Sequence, residues 1–128
     1  MSSENFNEDV GLNIIGFKDD KYVIELEIEK RHHNTGGIVH GGVLCTMLDT
    51  AMARAFFETL PPEKKSGATL EMNINFLKPT TAGKLTAYGI LTHTTKRTAF
   101  VEGHVENQEG KLVAKASATM MLSSKVET

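Results

Sequence analysis

Asn34-Thr35-Gly36-Gly37-Ile38-Val39-His40-Gly41-Gly42-Val43-Leu44-Cys45-Thr46-Met47-Leu48-Asp49-Thr50-Ala51 decides how this chain folds, because the pattern changes character inside it. Residues 34 to 42 hold four glycines and show no apolar period, as a loop does. From there on, Leu44, Met47, Leu48, Ala51 and Ala55 fall within one stripe at 3.6 residues per turn, which predicts an amphipathic helix with that stripe against a core. Leu60-Pro61-Pro62 stops it, since proline cannot continue a helix and disfavours helical geometry in the residue before it. No other stretch reads convincingly as a helix.

On both sides the period is two. Upstream, Tyr22, Ile24, Leu26 and Ile28 alternate with Val23, Glu25, Glu27 and Glu29, a half-buried strand over residues 22 to 29. Asp19-Asp20-Lys21 reads as a turn, so residues 11 to 17 are expected to pair back as a first strand. Downstream, Leu70, Met72, Ile74 and Phe76 oppose Thr69, Glu71, Asn73 and Asn75 in an unbroken alternation over residues 69 to 77. Residues 84 to 94 and 98 to 106 flank Thr95-Lys96-Arg97, and Asn107-Gln108-Glu109-Gly110 turns the chain into a last strand at 111 to 122. There Leu112, Ala114, Ala116, Ala118, Met120 and Leu122 share a face whose small residues suit close packing on a helix.

Two strands, one long helix and four strands, joined by short connections, predict an α+β fold. One helix must then cover the apolar face of about six antiparallel strands, so the sheet is expected to curve around it. Its unpaired edges invite pairing with a second copy, which predicts a homodimer with a continuous sheet.

The chain of 128 residues, with net charge -2 and 40% hydrophobic residues, is expected to form one domain spanning 1–128, with flexible ends at 1–9 and 123–128. No apolar run is long enough to cross a bilayer and the first residues are acidic, so no membrane association and a cytoplasmic location are expected. The scattered Lys and Arg and few aromatics argue against nucleic acid. Cys45, the single cysteine, excludes an internal disulfide and reads as packing. His32, His33, His93 and His104 have no carboxylate or thiolate partners at ligand spacing, so no metal is expected.

The chemistry lies in the opening stretch. Gly41 and Gly42 let another molecule approach the backbone, and the free N–H groups of a starting helix favour negative charge there. An oxygen that gains charge during acyl transfer fits such a place, and Asp49 can supply the base or nucleophile.

Taken together, Asn34, His40-Gly41-Gly42 and Asp49 at this spacing, and the element order from about residue 10 to 122, resemble the hotdog-fold thioesterases, most closely the phenylacetate-pathway type of acyl-CoA thioesterase. Asn73-Ile74-Asn75-Phe76-Leu77-Lys78-Pro79 resembles that family's strand after the helix. The resemblance implies a curved sheet wrapped around one helix, and hydrolysis of an acyl-CoA or aryl-acyl-CoA thioester. It implies no cofactor, coenzyme A being part of the substrate, and a homo-oligomer, either a dimer or a dimer of dimers. It assigns the oxyanion to the Gly41 N–H with Gly42 close behind, and the general base or nucleophile to Asp49 of the partner subunit. Asn34 would bind the attacking water or orient the substrate, or merely cap a turn. Thr69 would support the carboxylate, or be an ordinary strand hydroxyl. His40 would contact the substrate or brace the loop. Lys96-Arg97, and more weakly Lys78, would meet the coenzyme A phosphates. Two other functions stay open at this level: a non-catalytic acyl-CoA binding or sensing domain, and a hotdog-type hydratase or dehydratase working through His40.

Overall fold

The computed structural model describes residues 5–64 and 67–122. The elements run α1 (Phe6–Val10), β1 (Asn13–Lys18), β2 (Lys21–Glu27), α2 (Gly41–Phe57), β3 (Gly67–Phe76), β4 (Lys84–Thr94), β5 (Thr98–Glu106) and β6 (Leu112–Leu122), with 3-10 turns at Lys30–His32 and Pro62–Lys64. The six strands form one sheet in the order β1-β2-β4-β5-β6-β3, with every neighbouring pair antiparallel. The strand after the helix therefore crosses to the far edge instead of pairing beside β2.

Every expected strand is present, within about two residues at its ends. Of the ends expected to be flexible, 1–4 and 123–128 lie outside the described residues, whereas Phe6–Val10 is a short helix not foreseen from the pattern. Asn5 caps it by accepting the Glu8 N–H, and Gly11 closes it at φ 90°. The long helix ends at Phe57, before the prolines.

α2 lies on one face of the sheet. Leu44, Met47, Leu48, Ala51 and Ala55 are buried as the stripe predicts, and Met52 and Phe56 widen it. Burying a Leu, Met or Phe side chain of this kind stabilises the fold by about 1.5 to 3 kcal/mol. The sheet receives the helix in a trough of small side chains: Ala87 and Gly89 of β4, Gly103 of β5, and Ala114, Ala116 and Ala118 of β6. Contact is closest at Gly89, where a Cβ would fall 2.2 Å from the Ala51 carbonyl oxygen.

Four strand pairings carry a register shift, and two of these bear on the expected alternation. A register shift between Val105 and Glu106, opposite Leu112, buries Val113 and leaves Leu112 40% exposed instead of on the shared inner face. More consequentially, Thr69 pairs with Met120 but Glu71 pairs with Thr119, so Leu70 is the extra residue of a β-bulge. The alternation of β3 is therefore not unbroken. Downstream of the bulge Met72 and Ile74 face inward with Ala118 and Ala116, and upstream of it Thr69 faces inward with Met120. A one-residue insertion exchanges the two faces of a strand.

Candidate active site

The loop before α2 is held from three sides. His32 is buried; its Nδ1 accepts the Glu29 N–H at 2.9 Å, so the ring proton sits on Nε2 and is donated to the Val10 carbonyl at 2.6 Å. That bond ties α1 to the loop. His33 Nε2 donates to the Thr81 carbonyl at 2.7 Å, and the Val39 N–H donates to the Thr80 carbonyl at 2.9 Å, fastening the loop to the segment after β3. Asn34 braces the turn itself: its Oδ1 accepts the N–H groups of Gly36 and Ile38 at 2.8 and 3.3 Å, and Gly37 takes φ 81°. The oxygen of Asn34 is thus spent on the turn, which leaves its amide N–H groups for any other contact.

His40 caps α2. Its Nδ1 accepts the Gly42 N–H at 2.8 Å and its carbonyl accepts the Val43 N–H at 2.9 Å. The ring proton therefore lies on Nε2, pointing away from the helix start. Among the described residues the Gly41 N–H has no acceptor, so of the first three helical N–H groups it alone is left to an outside oxygen. Gly41 opens on a cleft of about 310 Å³ between the helix start and the end of β3, lined mainly by Ile38, Leu44, Phe76, Leu77 and Val113. The Phe76 ring stands where a Gly41 side chain would be, its nearest atoms 3.3 Å from that Cβ position. Lys78 also lines this cleft, as does Thr80, whose buried hydroxyl has no partner among the described residues.

Asp49 lies eight residues along α2 from Gly41, about 12 Å at 1.5 Å per residue. It is half-buried, and its Oδ1 accepts the Thr69 hydroxyl at 2.8 Å. The bulge at Leu70 is what turns that hydroxyl toward the helix. Cys45, one turn before Asp49, has its thiol pushed above the ordinary range by burial and then by the Asp49 charge.

The chain thus carries two candidate half-sites on one helix. Gly41, His40 and Lys78 gather at its start, beside Phe76, while Asn34 stays with the turn of the preceding loop; Asp49 and Thr69 meet two turns on, toward Gly67. Lys96 and Arg97 are exposed in the β4–β5 turn, where the Arg97 carbonyl accepts from Leu122 next to Gly67, at the opposite end of the sheet from Gly41. They do not join Gly41 within one chain. Phe76 and Met120, which touch Gly41 and Thr69, were not singled out from the sequence as site residues; on the strand pattern both read as core.

Residues 36–114, from the glycine loop to the start of β6, match the thioesterase superfamily. A 1,4-dihydroxy-2-naphthoyl-CoA hydrolase of Listeria monocytogenes is 27% identical over 92% of this chain and 95% of its own length. The human acyl-coenzyme A thioesterase 13 is 27% identical over 95% of this chain and 88% of its own. Among solved structures, a phenylacetic acid degradation-related protein of Ralstonia eutropha JMP134 superposes with a TM-score of 0.81 at 32% identity, covering 90% of this chain and 87% of that one. With its six-stranded sheet, single long helix and glycine-rich helix start, the chain belongs to the thioesterase superfamily, as a hotdog-fold thioester hydrolase of the phenylacetate-pathway type.

Proposed function

We propose that this protein hydrolyses an acyl-CoA or aryl-acyl-CoA thioester to the free acid and coenzyme A, in a site shared between two copies of the chain. The observation that carries this reading is the pairing of an unclaimed Gly41 N–H on an apolar cleft with a carboxylate, Asp49, held in place by Thr69. The thioester carbonyl accepts the Gly41 N–H, which stabilises its oxygen as charge builds there; one such donor is typically worth about 2.7 to 4 kcal/mol. With Asp49 as general base, water attacks the carbonyl carbon and passes a proton to the carboxylate. The C–S bond then breaks and the proton leaves with the thiolate, so Asp49 is regenerated. With Asp49 as nucleophile, its carboxylate instead displaces coenzyme A thiolate to form an acyl anhydride, and water hydrolyses that to the free acid and the Asp49 carboxylate, its proton going to the thiolate.

A separation of about 12 Å on one helix is too long for a single carbonyl to bridge. Strand β3 supplies the remedy, being a ten-residue edge strand. The Gly41 half-site lies at its Phe76 end and the Asp49 half-site at its Gly67 end. Antiparallel pairing of β3 with β3 of a second copy about a two-fold axis sets each Gly41 beside Asp49 of the partner subunit. Lys78 then comes from the Gly41 side and Lys96-Arg97 from the Asp49 side, both available to phosphates at the surface.

The test is release of coenzyme A thiol from a panel of short, medium and aromatic acyl-CoAs, by wild type and by Asp49→Asn with an unchanged melting temperature. Turnover of at least one thioester, reduced about 100-fold or more by the substitution, is expected. Absence of thiol release across the panel, or full activity in Asp49→Asn, overturns the proposal.

A further inference from the structure

Thr69 has one hydroxyl hydrogen and two acceptors within reach: Asp49 Oδ1 at 2.8 Å and the thioether sulfur of Met120 at 3.2 Å. Met120 is fully buried, on the inner face of a strand whose preceding inner positions are Ala114, Ala116 and Ala118. We infer that Met120 is a positioning residue for Asp49, acting through Thr69: its sulfur takes the Thr69 hydrogen whenever the Asp49 carboxylate loses its negative charge.

Hydrogen bonds to an ionised carboxylate are shorter and stronger than those to neutral oxygen, and a thioether sulfur is a weak acceptor. While Asp49 is anionic the hydrogen therefore lies on Oδ1. Once the carboxylate takes a proton from water or forms an acyl bond, Oδ1 becomes a poorer acceptor, or itself a donor to Thr69 Oγ1. The hydroxyl then rotates about Cβ–Oγ1 toward sulfur. No heavy atom moves, because the β-branched side chain stays in its rotamer. Without sulfur at 3.2 Å that half-buried hydrogen would keep only the weakened carboxyl oxygen as a protein acceptor, which disfavours the neutral state the carboxyl must pass through. The inference rests on the catalytic role proposed for Asp49.

Met120→Leu keeps volume and removes the acceptor. It is expected to lower kcat about three- to tenfold with KM unchanged, since Met120 is fully buried. In a Thr69→Val background the same substitution is expected to change nothing further, because the hydroxyl it serves is gone. Equal losses in both backgrounds, or an unaltered kcat in Met120→Leu, overturn the inference. A second measurement does not need turnover: with methionines carrying a ¹³C ε-methyl, Asp49→Asn removes the charge and is expected to displace the Met120 resonance, and Thr69→Val is expected to abolish that displacement. A Met120 resonance indifferent to Asp49→Asn, or displaced equally without the Thr69 hydroxyl, refutes it. If no acyl-CoA is hydrolysed, the proposed function falls, while the resonance still decides whether the hydroxyl follows the Asp49 charge.

Discussion

Gly89→Ala tests the contact that seats the helix on the sheet. The new Cβ would lie 2.2 Å from the Ala51 carbonyl oxygen, 2.5 Å from its carbonyl carbon and 2.9 Å from the Met52 nitrogen, whereas ordinary contact begins near 3.4 Å. All three are backbone atoms, so no side chain can swing aside, and α2 must lift by roughly 1 Å. Overpacking a well-packed core costs about 1 to 3 kcal/mol, and a backbone-on-backbone clash belongs at the upper end. For a chain of this size about 3 kcal/mol corresponds to a fall in Tm of roughly 10 °C. The same lift acts on chemistry, because Asp49 stands two residues before Ala51. Lengthening its 2.8 Å bond to Thr69 by an ångström takes it beyond hydrogen-bonding distance. A charge-assisted bond of this kind is worth about 1.5 to 3 kcal/mol, so kcat is expected to fall at least tenfold in the protein that remains folded. Calorimetry or circular dichroism at one fixed protein concentration gives Tm, and thiol release well below it gives kcat. A variant that melts within about 2 °C of wild type and keeps its kcat refutes the reasoning.

Two further outcomes follow from the helix start and from Cys45. His40→Ala removes the acceptor of the Gly42 N–H and is expected to cost about 1 kcal/mol, seen as a shift in a urea unfolding midpoint without change of slope. Cys45 has its thiol raised in the folded state, first by burial and second by Asp49. Native alkylation by iodoacetamide is therefore expected to be slow near neutral pH and faster in Asp49→Asn, with burial keeping the rate below that of the unfolded chain. The linkage sign follows: the folded thiol holds its proton to higher pH, so its contribution to stability is present below the unfolded value and is lost as pH rises through the folded one. Alkaline unfolding curves for wild type and Cys45→Ala compare that contribution directly.

The sequence by itself determined the order of the six strands and the long helix, that helix's buried stripe, and the loop that ends in Gly41, but not the short helix Phe6–Val10. Each of these is a local matter: period 2 or 3.6, glycine where the backbone must stay bare, proline where a helix cannot continue. It also pointed to Asp49, by its spacing from the glycines, and the family resemblance added Thr69 as a supporting hydroxyl or an ordinary strand residue. Only the tertiary structure decided how they meet. Period-two reading put Thr69 on the face away from the core, and the bulge at Leu70 reversed it, because one extra residue flips a strand and leaves no trace in an alternating pattern. Likewise the trough at Gly89, the place of β3 at the sheet edge and the sulfur beside Thr69 depend on residues tens of positions apart. Contacts of that kind are set by how strands and helix pack against one another, which no window along the chain contains.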